Sequence, residues 1–95
     1  MPAYLIANVI SAPDGNEGME EYRRRVGATL EPFDARFVVR GGTSEAVEGG
    51  WQPGHLSIIE FPSKDHFHRW YDSDAYQEIL PLRTDNVRSE LVIVE

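Results

Sequence analysis

Among the side chains of this sequence that could move a proton or hold an anion, Glu60 is the most conspicuous. It is the one carboxylate inside the run His55-Leu56-Ser57-Ile58-Ile59-Glu60-Phe61-Pro62. An acid in so apolar a setting needs a partner or a task. Arg40 is the expected partner, because Arg36-Phe37-Val38-Val39-Arg40 reads as the hairpin neighbour of the Glu60 strand. As a catalytic pair, Glu60 acts as a general base with a tuned pKa while Arg40 holds a carboxylate or enolate oxygen. As a structural pair the two form a buried ion pair, the commoner use of such residues. His55, at the mouth of the same strand, is the histidine best placed for proton transfer. The plainer reading makes it a solvated imidazole beside a Pro-Gly turn.

A second constellation suits ligand binding. Trp70, Tyr71 and Tyr76 supply aromatic walls, and Asn8 and Arg83 supply directed polar groups, the usual composition of a small-molecule site. The same aromatic residues also make an ordinary core rim, and Trp70 is most simply core. Arg83, after Pro81-Leu82, serves either as a ligand anchor or as a tie to helix-end carbonyls. Tyr22 reads as core with its hydroxyl bonded at the edge. His66 and His68 stand two apart on a helix, about 200° around it, and cannot chelate one metal together. With no HExxH, no CxxC and no acidic cluster, no metal and no other cofactor is expected. No GxSxG supports a serine nucleophile. Gly41-Gly42 and Gly49-Gly50 open no helix and read as hairpin bends rather than a nucleotide cradle.

Four strands and at least two helices must position these groups. Tyr4 to Ile10 is a strand with apolar residues on both faces. Ser11 to Asn16 is turn chemistry. Met19, Tyr22, Val26, Leu30 and Phe33 recur at helical spacing from about Asn16 to Phe33. Gly27 inside that helix implies close packing on the sheet. In the second strand Phe37 and Val39 alternate against Arg36, Val38 and Arg40, and Ser44 to Glu48 continues it irregularly. Leu56 and Ile58 then face one way, Ile59 and Phe61 the other. Ser63 caps a helix carrying Phe67, Trp70 and Tyr71. Ser73 or Asp74 starts a shorter one, which Pro81 stops, and Ser89 to Val94 is the last strand. The order is βαββαβ: an α+β, ferredoxin-like sandwich whose antiparallel sheet has its first and third strands central and both helices on one face. The other face remains apolar, so a homodimer pairing sheet against sheet is expected.

Composition limits the partners. The 95 residues, 41% of them hydrophobic, make one globular domain over 1–95. A net charge of −7 with no basic run argues against nucleic acid. Arg23-Arg24-Arg25, preceded by Glu20 and Glu21, reads as a solvated helix face. The absence of cysteine removes disulfide, thiolate and iron–sulfur chemistry and suits a reducing compartment. An N-terminus that enters an apolar run without a basic leader does not read as a signal peptide, and no stretch is long enough to cross a membrane. A cytoplasmic protein is expected.

Tyr4-Leu5-Ile6-Ala7, Arg36 to Gly42, Glu48-Gly49, Ile58 to Ser63, Trp70 to Ser73, Tyr76-Gln77 and Pro81-Leu82-Arg83 together resemble the domain-of-unknown-function family 1330 over nearly the whole chain. That resemblance implies membership of the dimeric α/β-barrel group, with antibiotic-biosynthesis-type monooxygenases, muconolactone-isomerase-like proteins and stress-responsive barrel proteins among its other members. It implies the fold and the dimer and assigns no substrate. Three functions are compatible with it. A cofactor-independent monooxygenase- or isomerase-like enzyme requires Glu60, Arg40, His55 and Arg83 to converge on an enclosed pocket. A small-ligand-binding or stress-associated dimer requires only an aromatic-walled pocket. A structural dimer module requires none beyond the dimer seam.

Overall fold

Strand β1 (Ala3–Ser11) lies between β3 (His55–Phe61) and β4 (Arg88–Val94), and β2 (Arg36–Gly42) forms the far edge, in the order β2-β3-β1-β4. All three pairings are antiparallel. The computed structural model describes residues 1–11 and 16–95, the side chain of Ser11 excepted. Most of the turn expected between Ser11 and Asn16 therefore lies outside the described residues. Helix α1 (Glu17–Leu30) starts where the Asn16 side chain accepts from the Met19 N–H, with Glu17 and Glu20 in its positive first turn. A 3₁₀ turn over Glu31–Phe33 ends it, and Asp34 at φ 56° turns the chain into β2. Helices α2 (Lys64–Tyr71) and α3 (Asp74–Thr84) are capped by Ser63 and Ser73. The result is the ferredoxin-like α+β sandwich that the periodicities imply.

The Cα atoms span 34 × 33 × 16 Å, the thickness of one sheet and one helix layer. The core lies between those layers, where Leu5, Ile59 and Phe61 of the sheet meet Val26, Leu30, Phe67, Trp70, Tyr76 and Ile79 of the helices. Trp70 and Tyr76 sit 3.9 Å apart, centroid to centroid, and the Trp70 indole N–H donates to Thr29 Oγ1 at 2.9 Å. On the opposite face none of the described helices lies over the sheet.

Four expectations fail, each for a local reason. Pro81 does not stop α3, which continues to Thr84. Gln77, whose carbonyl loses its N–H donor at Pro81, is solvent-exposed, so water can meet the loss. Arg83 consequently sits in the last helical turn rather than in a loop. Ser44 to Glu48 is not a continuation of β2, which ends at Gly42. Gly27 makes no close approach, for a Cβ there meets nothing within 4 Å. Finally, the strict alternation expected for β2 breaks: Phe37 opposes Ile59 but Val39 opposes Ile58. The extra residue is a bulge, and it reverses the facing of the residues after it. Gly41, at φ +64°, takes up the remaining distortion.

Candidate functional site

That bulge separates the two residues expected to pair. Arg36 lies opposite Glu60, and its Nε donates to Glu60 Oε1 at 2.9 Å. The Tyr4 hydroxyl, from the other neighbouring strand, donates to Glu60 Oε2 at 3.0 Å. These two hydrogen bonds, Tyr4's first, hold the Glu60 carboxyl below the usual carboxylate range; in return Glu60 holds the Tyr4 phenol above its own. All three lie on the helix-free face. Arg40 is on the helix side, where its Nη2 donates to the Arg23 carbonyl of α1 and its guanidinium lies 4.5 Å above the Phe37 ring. The expected Glu60–Arg40 pair is replaced by Glu60–Arg36. Asn8, the expected ligand anchor, is also on the helix-free side with Tyr4. It is buried, and its Oδ1 accepts the Gly54 N–H at 2.8 Å. Gly54 fits there because it has no Cβ: one would fall 2.2 Å from the Val9 carbonyl oxygen.

A cavity of about 490 Å³ lies on the helix side, between α1 and the sheet. Leu5, Ala7, Ile59 and Leu91 form its floor and Met19, Tyr22 and Val26 its roof. Three expected site residues, Arg40, His55 and Arg83, line it, as does the buried edge of Trp70. Among the described residues no carboxylate does. Alternation along the strands explains the floor: the odd-numbered residues of β1, β3 and β4 face the helices.

Arg83 is 6% exposed. Its Nη1 donates to Ser89 Oγ at 2.5 Å and its Nη2 approaches the Tyr76 hydroxyl at 3.5 Å, while its Nε, also buried, has no partner among the described residues. Burial opposes the charge, but the neighbouring Tyr76 and Tyr22 oxygens outweigh it and keep the pKa above its ordinary value, so the group is a permanent cation. The Tyr22 hydroxyl shares a 2.9 Å hydrogen bond with that of Tyr76, and burial first, then Tyr76, pushes the Tyr22 phenol far above its usual range. Tyr22 is therefore a neutral hydroxyl at any physiological pH. Tyr76 stands behind the wall, fully buried, supporting both Trp70 and Arg83.

Tyr22 and Arg23 line the cavity although their positions in the sequence mark them as core and as solvated surface. Three consecutive helical residues spread over about 200°, so Arg23, Arg24 and Arg25 cannot all share one solvated face. Arg25 reaches Glu21 and Glu78 on the α3 side, and Arg23 turns to the cavity. His66 is used locally, its Nδ1 2.6 Å from the Ser63 hydroxyl. Among the described residues no three His, Asp or Glu side chains are gathered so as to hold a metal ion. Among them, too, no helix is long and apolar enough to cross a membrane.

Solved structures share this architecture. A protein of unknown function from Rhodopseudomonas palustris superposes with a TM-score of 0.76 at 24% identity, over 98% of this chain and 80% of that one. A protein of unknown function from Jannaschia sp. CCS1, described as dimeric and ferredoxin-like, gives 0.75 at 12% identity over 100% and 99%. A Nitrosomonas europaea protein, provisionally described as an antibiotic biosynthesis monooxygenase, gives 0.61 at 12% identity over 100% and 97%. No curated protein matches the chain. The family whose profile it fits over residues 2–95 is DUF1330, a domain of unknown function, and with nearly its whole length matched the chain belongs to that family.

Proposed function

We propose that each chain is a single domain carrying a small-molecule site in the cavity beneath α1, and that two chains pair through their helix-free sheet faces. The observation that carries the first part is the cavity itself: about 490 Å³, largely apolar, with Arg40, His55 and Arg83 in its walls. Binding is the reading this supports best. Turnover, as in a cofactor-independent monooxygenase or isomerase, is favoured by one observation, the His55 imidazole at the cavity wall. Glu60, the base that reading wanted, lies on the other face.

The pairing is supported by Val92 and Val94, which are 57% and 46% exposed on a face that also presents Ile6, Leu56 and Ile58. A two-fold axis makes such a patch its own complement. The dimeric description of the Jannaschia relative points the same way. Light scattering at micromolar concentration should report twice the chain mass of 10.8 kDa; the chain mass itself would overturn the pairing. The lack of cysteine suits a cytoplasmic setting, and the charge of −7 disfavours nucleic acid.

A thermal-shift screen of small metabolites tests the site. A ligand at ten times its Kd adds about 1.4 kcal/mol, several degrees for a domain of this size. The shift should shrink in Arg40→Ala. Hits are then followed by oxygen uptake and by NMR for isomerisation. A screen with no shift contradicts the site, and hits without conversion reduce it to binding.

A further inference from the structure

We infer that the ligand of this cavity is an apolar acid, a carboxylate on a hydrocarbon or aromatic body, with its anionic end taken by Arg83. The inference rests on reading the cavity as a small-molecule site and adds which class of molecule fits it. Arg83 is a nearly fully buried guanidinium whose two protein partners, Ser89 and Tyr76, are hydroxyls. Among the described residues no carboxylate lies within salt-bridge distance of it, although Arg24, Arg25, Arg36 and Arg69 all have one. The neighbouring Tyr22 phenol stays neutral and cannot serve as counter-ion. A buried charge without its opposite is costly, and so is a buried N–H without an acceptor. Arg83 carries both costs on the same side chain, in the wall of an apolar cavity. A carboxylate in the cavity against the guanidinium would supply the missing charge, and a small turn of the side chain would bring the enclosed Nε and a terminal nitrogen onto it in the forked geometry that guanidinium favours.

The rest of the cavity agrees in sign. This chain has 16 acidic and 9 basic residues, yet among the described residues the cavity is lined by Arg23, Arg40, Arg83 and His55 and by no acid. Cations gathered in a low-dielectric cleft draw anions in against the repulsion of the whole molecule. Arg40 and Arg83 play different parts. Arg40, on edge strand β2, is exposed, spends Nη2 on the Arg23 carbonyl and lies over Phe37. Arg83 stands beside the opposite edge, where it holds Ser89 of β4. Three strand spacings, roughly 14 Å, separate those edges. Between them the floor is Leu5, Ala7 and Ile59, a surface for the ligand's apolar body. Arg40 attracts at the entrance; Arg83, locked in place by its two hydroxyl partners, anchors.

The test compares 2-naphthoate with its near-isostere 2-naphthamide by titration calorimetry at neutral pH, on the wild-type chain and on Arg83→Met. Loss of one charge-assisted, forked contact is worth about 10- to 100-fold. The acid should bind the wild type, one per chain, tighter than the amide by that factor, and Arg83→Met should bring the two within about 2-fold of each other. Arg40→Gln should keep the preference for the acid. The wild-type comparison needs no variant and stands even if Arg83→Met folds poorly. Equal affinity of the wild type for acid and amide overturns the anion assignment and leaves the cavity reading intact. Heat from neither compound, together with an empty thermal-shift screen, overturns both.

Discussion

The two faces of the sheet carry similar kinds of polar residue in opposite states of completion. On the helix-free face every polar group in question is matched: Glu60 accepts from Tyr4 and Arg36, and Asn8 accepts from Gly54. Around them stand exposed valines. On the helix side Arg83 has, among the described residues, a buried N–H without an acceptor and a charge without a counter-ion, beside an open cavity. Satisfied polar groups in an apolar field are what an interface requires, since any left unpaired would penalise association. An unsatisfied one beside a cavity is what a binding site requires. On the proposed reading the two faces do different work, one for a second chain and one for a small molecule.

Substitutions on each face should separate those roles. The largest effect is expected at Trp70, 1% exposed and hydrogen-bonded to Thr29, whose replacement by Ala should cost about 3–5 kcal/mol in urea unfolding. It should remove ligand binding as the cavity wall collapses. Val92→Lys acts on the other face. It should convert the dimer to a monomer in sedimentation, while naphthoate affinity stays within about 3-fold; as an exposed change it should alter the chain's own stability by no more than about 0.5 kcal/mol. Loss of binding in that monomer would show that the faces are coupled.

A smaller, pH-dependent effect belongs to Glu60. Its folded pKa lies below the unfolded value of about 4.3, so its hydrogen bonds stabilise the fold above that value and the contribution fades as pH falls through the folded pKa. Glu60→Gln should therefore lose stability near neutrality and converge on the wild type at acid pH, with no change in ligand binding. A difference that grows on acidification would contradict the role given to Tyr4 and Arg36. The smallest effect is at Gly27, which lies in α1 with open space where a Cβ would go. Gly27→Ala should stabilise by about 0.4–1 kcal/mol in the same urea assay without touching either face.

Much of the fold was legible in the sequence. Alternation in β1 and β3 told which residues share a face, and the over-apolar Leu56 to Phe61 told that both faces need a cover. Asn16, Ser63 and Ser73 announced their helices. The site was harder, because two irregularities decide it. The bulge at Val38–Val39 moves Arg40 off the face of Glu60, and nothing in five residues of β-prone chain marks where a strand will slip. Pro81 reads as a helix stop, yet packing of α3 carries the helix through it and sets Arg83 on a rigid turn. Tyr22 read correctly as a residue of the apolar helix face, but a cavity beneath that face has no signature in spacing. Arg83 stood out in the sequence as a candidate anchor or a tie to helix-end carbonyls; that no described carboxylate pairs with it was not legible.

The most direct measurement is a crystal soaked with 6-bromo-2-naphthoate, with the anomalous signal of bromine locating the ligand. One bromine site per chain is expected beneath α1, with the carboxylate on Arg83 and the ring over Leu5, Ala7 and Ile59. Bromine between paired sheet faces, or a carboxylate held elsewhere while Arg83 stays bare, would contradict that placement.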